Sequence, residues 1–348
     1  MIKKSILLFA LCFGLYLIGR SKGPDNPEEL GQVQWLRDMK SAKEAALASE
    51  KPIFILFQEV PGCMTCKNYG NLVLSHPLIV ETIESYFVPL AIFNNRRGHD
   101  AEVLHYYNEP TWNNPVVRIV QADQEDILPR LSGTYTPSGL VHYMISALTM
   151  EGHPIPQYLK LLHQELTANE GNTEQTTLSM FCFWTGEKEL GKLEGVVHTE
   201  AGFMNGHEVV NVYFDPQQIE LTDIIREGQS SQCADEVYVW DQDTEQEAQT
   251  VIGKNRVKPR KSFRMDREPK YYLSRTIYKY LPMSPIQAVK ANALVGAGQD
   301  PSAIFSPGQL HLLRYIELNQ NLKWDNQIHN PKWMESLYQL WEKTALRA

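Results

Sequence analysis

The chain has 348 residues, of which 43% are hydrophobic and 21% charged, with a formal net charge of −8. Those proportions are ordinary for folded protein and rule out a largely disordered chain, a collagen and a multi-span membrane protein, and the length fits about two domains. With no basic stripe and no aromatic RNA-binding motif, nucleic acid is not expected as a partner.

Met1-Ile2-Lys3-Lys4 is a short positive start, followed by an uncharged apolar run from Ser5 to Gly19 and then Arg20 and Lys22. This is the pattern of an export signal, so residues 1–22 are expected to be a signal peptide or a retained membrane anchor. Either way the body would lie outside the cytoplasm, which in a bacterium with two membranes is the periplasm, free or anchored in the inner membrane. Cys12 is expected to be an apolar residue of that run. The other cysteines are Cys63, Cys66, Cys182 and Cys233. They are too few for a disulfide-stapled scaffold, and none has the paired spacing of a zinc site. No metal and no other cofactor is therefore expected, and redox chemistry becomes the main question for these four.

In residues 25–166, Trp35, Met39, Ala42, Ala45 and Ala46 recur at helical spacing, and Lys51-Pro52 ends that helix. Ile53 to Phe57 is a continuous apolar run, as expected for a strand buried on both faces. Val60-Pro61-Gly62-Cys63-Met64-Thr65-Cys66-Lys67 follows directly. A C-x-x-C between a buried strand and a helix places its first thiol at the helix N-terminus, where the thiolate is stabilised, and its second one turn on. A further helix from Pro77, strands at Phe87–Ile92 and Val116–Val120, and a helix from Ser138 to Ala147 are predicted. Asn114-Pro115 precedes the strand at Val116, and a cis bond there would need proline.

Residues 25–166 resemble a thioredoxin-like domain, and Val60-Pro61-Gly62-Cys63-Met64-Thr65 resembles the VPGUxT thioredoxin-like (seleno)protein type, with Cys63 at the selenocysteine position. The resemblance implies redox chemistry with Cys63 attacking, Cys66 closing the disulfide, and Pro115 as the cis proline beside the dithiol.

Thr167 to Thr177 is polar, without an apolar period, and reads as a linker. In residues 178–280 the predicted order is strand, Cys182, helix, strand, turn, strand. Cys182-Phe183-Trp184 with Glu187, then Leu193, Gly195, Val196, Thr199, Gly202 and Phe203, then Gly206-His207-Glu208 through Asp215-Pro216, resemble the motifs of peptide methionine sulfoxide reductase A (MsrA). Lys270-Tyr271-Tyr272-Leu273 resembles that family's tail. The resemblance implies an α/β (α+β) fold, ferredoxin-like, with Cys182 as nucleophile and Glu208 as a buried acid with a raised pKa. Phe183 and Trp184 would cup the substrate methyl. Attack on a sulfoxide would leave a sulfenic acid on Cys182, for a second thiol to convert to a disulfide.

The match departs from the family at Phe181, which stands at its leading Gly, at Thr185-Gly186, which replace its Gly-x, and by one residue fewer before Glu208. Two further departures bear on the chemistry. Phe203 to Gly206 leaves no room for the loop Tyr, and Gly228 to Cys233 lacks the family's Asp and second Tyr. Cys233 fits either a resolving cysteine or a buried apolar one. Glu208 fits either an acid or an exposed strand residue, and Phe183-Trp184 either a cup or plain core.

Residues 281–348 predict a helical C-terminal extension. Its three helices start at Ser284-Pro285, Ser306-Pro307 and Asn330-Pro331. The leading expectation is an exported methionine sulfoxide reductase acting on oxidised protein or peptide, fed by the fused dithiol and by an unidentified membrane or periplasmic thiol donor. The alternatives are a disulfide oxidoreductase whose MsrA-like part only binds client protein, and an assembly protein with both sites silent.

Overall fold

A computed structural model describes residues 26–112, 115–171 and 173–344. Residues 1–22 and the Asn114 side of the Asn114–Pro115 bond lie outside the described residues, and among those described the cis peptide bond is Val60–Pro61. No helix among the described residues is long and apolar enough to cross a membrane.

Helix α1 (Met39–Ser49) starts where the Asp38 carboxylate accepts the Ser41 N–H, and buries Met39, Ala42 and Ala46. Glu50 closes it in the left-handed region (φ 54°) before strand β1 (Ile53–Gln58). Every residue of β1 is buried: Phe54 and Leu56 face one apolar cluster, and Ile53, Ile55 and Phe57 the other. Two covered faces are the reason for its unbroken apolar run.

Helix α2 (Met64–Asn68) runs on through a π-helical turn, Tyr69–Val73, and α3 (Pro77–Tyr86) leads to β2 (Val88–Phe93), parallel to β1. After α4 (His99–Tyr106), β3 (Val116–Val120) pairs antiparallel with β1, and the short β4 (Leu131–Ser132) with β3. The sheet order is β2-β1-β3-β4. Helices α5 (Pro137–Met150) and α6 (Gln157–Glu170) complete this thioredoxin-like unit.

The expected linker at 167–177 is corrected. Helix α6 reaches Glu170 and strand β5 (Glu174–Met180) begins after three residues. The polarity there belongs to secondary structure: Thr176 and Thr177 are buried in the ladder, and the Thr177 hydroxyl donates to Asn211 Oδ1 at 2.6 Å.

The second unit holds α7 (Phe183–Gly191), β6 (Val196–Met204), β7 (His207–Phe214), α8 (Leu221–Ser230), β8 (Glu236–Val239), α9 (Gln242–Ile252), β9 (Val257–Pro259) and β10 (Phe263–Met265). Its six-stranded sheet has the order β10-β6-β7-β5-β8-β9, antiparallel except for β8 and β9. The β6–β7 hairpin turns on Asn205-Gly206 (φ 52° and 85°), the left-handed pair that a two-residue hairpin of this twist requires. That tight turn leaves no loop between β6 and β7.

Short helix α10 (Tyr271–Ser274) precedes α11 (Pro285–Gly296), α12 (Pro307–Leu318) and α13 (Trp333–Lys343). The expected starts at Ser284 and Ser306 hold, as capping boxes closed by Gln287 and Gln309. The two boxes interlock, because the Gln287 and Gln309 side-chain amides exchange hydrogen bonds at 2.8 and 3.0 Å. The third helix starts at Trp333, since Asn330 Oδ1 accepts the Lys332 N–H in the turn before it.

These helices share one apolar core with the first unit. Two of that unit's carboxylates also meet their N-termini. Glu165 of α6 accepts from the Ser284 hydroxyl at 2.6 Å and the Ile286 N–H at 3.1 Å, and Glu81 of α3 accepts the Gly308 N–H at 2.5 Å. Helix α11 packs on α6 and also on α7 and β6, so it joins the two units.

Candidate active sites: two cysteine pairs

The first pair stands at the end of β1. Cys63 immediately precedes α2 and is exposed, whereas Cys66, one turn on, is fully buried. The sulfurs lie 3.6 Å apart and are not bonded to each other. The Cys66 backbone N–H, with the Thr65 N–H and hydroxyl adding to it, holds the Cys63 thiol below its ordinary pKa. Burial pushes the Cys66 thiol up to about 11, and its hydrogen bond to Cys63 adds to the rise. The result is an exposed, activated thiol beside a buried, protonated partner.

The loop before the dithiol is tightly packed. A Cβ on Gly62 would stand 2.3 Å from the Glu59 carbonyl oxygen and 2.6 Å from Cys66 Cβ, so only glycine fits without displacement. The Gly62 N–H donates to the buried Glu29 carboxylate at 2.7 Å, and the Gln58 amide ties the Glu29 and Cys66 carbonyls at 2.8 and 3.1 Å. Glu59 is a residue the sequence did not mark. A carboxylate oxygen of it and the two sulfurs all lie within 4.8 Å of one another.

The second pair lies on the other sheet. Cys182 is half-buried just before α7, and the Phe183 N–H that follows it donates to Glu208 Oε2 at 2.9 Å. The β5–β7 register brings Glu208 there by pairing it with Met180, and the carboxylate is half-buried rather than fully buried. The β5–β8 ladder pairs Ser179 with Glu236, and the Asp235 N–H donates to the Ser179 carbonyl at 2.8 Å. Cys233 lies two residues ahead of Asp235 in the turn that leads into β8, near enough to Cys182 for the two to interact electrostatically.

Cys233 is 1% exposed, and its thiol is pushed up to about 11, first by burial, then by the negative charges of Glu189 and Cys182. Cys233 is thus a buried cysteine, as one of its two expected readings has it.

The expected two-ring cup is corrected. Phe183 is 4% exposed and packs edge-on against Phe203 at 5.3 Å, because the first position of α7 turns it into the core. Trp184 alone stays half-exposed. It stacks on Tyr271 at 3.8 Å, and its indole N–H donates to Asp266 Oδ2 at 3.2 Å. Tyr271 and Asp266 are neighbours of Trp184 that the sequence gave no local reason to combine with it.

Three motif residues far apart in sequence meet beneath α7. Lys270 Nζ donates to Glu187 Oε1 and to the Thr199 carbonyl, each at 2.5 Å, while the Lys270 N–H donates to Glu187 Oε2 at 3.0 Å. The side chains of Lys270 and Glu187 are wholly buried. This brace fixes the helix that carries Cys182 at its start.

Residues 34–122 match a thioredoxin-like family model. The match supports the thioredoxin-like expectation and not the VPGUxT type. The chain is 35% identical over 71 residues to peptide methionine sulfoxide reductase MsrA of Methanococcus maripaludis strain C5, covering 16% of this chain and 45% of that protein. It is 30% identical over 76 residues to the MsrA of Vibrio cholerae serotype O1, covering 17% and 36%. The chain thus spans under half the length of these relatives. A solved structure of a DsbH oxidoreductase aligns with a TM-score of 0.30 and 18% identity, covering 38% of this chain and 94% of that one.

Proposed function

We propose that the protein is a thiol oxidoreductase that reduces methionine sulfoxide in peptides or proteins at Cys182, with the Cys63–Cys66 dithiol as its built-in electron donor. The observation that carries the redox reading is the pairing of an exposed, activated Cys63 with a buried Cys66 at 3.6 Å. The sulfoxide reading draws on the MsrA similarity and on Glu208 held beside the start of α7.

The Cys182 thiolate attacks the sulfoxide sulfur while a proton, delivered by Glu208, goes to its oxygen and makes the sulfur electrophilic; that hydroxyl then passes to the Cys182 sulfur as the bond between the two sulfurs breaks. Methionine departs and Cys182 is left as the sulfenic acid. The Cys233 sulfur displaces that oxygen as water and forms the Cys182–Cys233 disulfide, so two electrons have passed from two thiols to one sulfoxide. Cys63 then attacks this disulfide, and Cys66 releases the dithiol by closing on Cys63. An external dithiol must reduce Cys63–Cys66 for the next cycle. Tethering holds the donor at an effective concentration of about millimolar. Export to an oxidising compartment, with a membrane or periplasmic thiol donor, fits the character of residues 1–22.

A second reading keeps only the first dithiol catalytic and makes the MsrA-like unit a client-binding module. The Asn205-Gly206 hairpin favours it, because it leaves no loop to carry the family's Tyr.

The test is dithiothreitol-dependent reduction of a methionine S-sulfoxide peptide by the full chain. Since dithiothreitol reaches Cys182–Cys233 directly, Cys63→Ser should keep activity and Cys182→Ser should lose it. Absence of sulfoxide reduction, alongside intact reduction of insulin disulfides, would leave the second reading.

A further inference from the structure

The third ligand atom beside the dithiol has a use that disulfide exchange does not require. We propose that Glu59, Cys63 and Cys66 form a three-ligand site for a thiolate-seeking divalent cation, Zn²⁺ above all. A zinc–sulfur bond of about 2.3 Å gives a tetrahedral sulfur–sulfur edge of about 3.8 Å. The two sulfurs already stand 3.6 Å apart, so chelation needs almost no movement. The carboxylate oxygen lies within 4.8 Å of both, and turning the half-buried Glu59 side chain brings it onto the third vertex.

The backbone holds these ligands together. Glu59 directly follows β1, and the loop is so closed that a Cβ on Gly62 would run into both the Glu59 carbonyl and Cys66. Cys63 is exposed, which leaves an entry path and a fourth vertex for water. Three protein ligands with an open position make an exchangeable site, unlike a closed four-ligand structural one.

Binding replaces the two thiol protons with the metal and transfers no electrons. The disulfide and the metal need the same two sulfurs, so each state shuts out the other. If the dithiol turns over as proposed, Zn²⁺ reversibly holds it reduced and idle; the site itself does not depend on that reading.

The test uses the full chain, freed of metal with EDTA, reduced and kept anaerobic, and titrated with Zn²⁺ against a chromophoric chelator and with Co²⁺ by absorption. To isolate the site, the titration is run in a Cys182→Ser/Cys233→Ser background. The expected result is about one equivalent bound, with thiolate-to-cobalt charge transfer and the intense visible bands of tetrahedral Co²⁺. Oxidation to the Cys63–Cys66 disulfide should abolish both. Glu59→Gln should weaken Zn²⁺ binding by about tenfold or more, Cys63→Ser should weaken it further, and Glu59→Asp should recover part of the loss. Glu59→Gln with unchanged affinity and unchanged cobalt bands would overturn the three-ligand site, as would failure of the reduced protein to take up either metal. Insulin reduction without Zn²⁺ reads the dithiol's activity separately, so loss of the metal site and loss of the redox reading are distinguishable.

Discussion

Cys63 and Cys66 stand 3.6 Å apart, sulfur to sulfur, yet their surroundings move the two thiols in opposite directions. Backbone N–H groups at the start of α2 stabilise the Cys63 thiolate, while burial keeps the Cys66 thiol protonated up to about pH 11. Alkylation of the reduced protein with iodoacetamide in EDTA, followed by peptide mass mapping, should therefore give Cys63 a midpoint below that of an ordinary cysteine. Cys66 should stay protected until strongly alkaline pH. Equal rates and midpoints at both positions would remove the division of labour between attacking and resolving thiols.

Gly62→Ala should disturb the dithiol specifically. Its Cβ would press on the Glu59 carbonyl and on Cys66, a cost of about 1–3 kcal/mol as for other overpacked sites. The expected outcome is a lower melting temperature together with slower insulin reduction. A variant as stable and as active as the parent would show that the loop has slack that the geometry does not reveal.

The buried Lys270–Glu187 pair should behave as a brace under α7. Removing one partner, as in Lys270→Met or Glu187→Leu, leaves an uncompensated buried charge and should cost about 3–5 kcal/mol. The double variant should cost much less than the two singles combined, because neither charge is then stranded. Urea unfolding of the four proteins gives the coupling directly, and additive losses would mean that the two groups act independently.

Glu165 predicts a pH dependence in the junction between α6 and α11. Burial raises its pKa from 4.5 to about 7, against the Ser284 and Ile286 hydrogen bonds that favour the carboxylate. The folded state therefore binds a proton that the unfolded chain has released, and this contribution is fully present below pH 4.5. It declines as pH rises to about 7, by up to about 3 kcal/mol. Glu165→Gln keeps an acceptor for Ser284 and removes the titration. Its stability relative to the parent should increase from pH 4.5 to 7; a constant difference would mean that Glu165 does not titrate there.

Local signals carried much of this molecule. The apolar run of β1, the C-x-x-C before a helix and the Ser-Pro starts of α11 and α12 are visible because each is set by neighbouring residues. Register was not visible. Nothing near Glu208 or Cys233 says that β5 lies between β7 and β8, which is what brings Glu208 to the start of α7 and Cys233 within electrostatic reach of Cys182. Polarity misled at 167–177, where Thr176 and Thr177 look like linker but are buried in a ladder, Thr177 donating to Asn211. Aromatic identity misled at Phe183, whose inward direction depends on where α7 starts. Trp184, Asp266 and Tyr271 meet only through the tertiary fold.

The most direct measurement is a count of electrons. The full chain is fully reduced, stripped of reductant and metal, mixed with excess methionine S-sulfoxide peptide, and the methionine formed per chain is measured. If Cys63–Cys66 feeds Cys182–Cys233, the parent should yield about two equivalents, Cys63→Ser about one and Cys182→Ser none, since each dithiol carries one electron pair. About one equivalent from both the parent and Cys63→Ser would mean that the two cysteine pairs are not connected, and none from the parent would mean that the second unit binds without reducing.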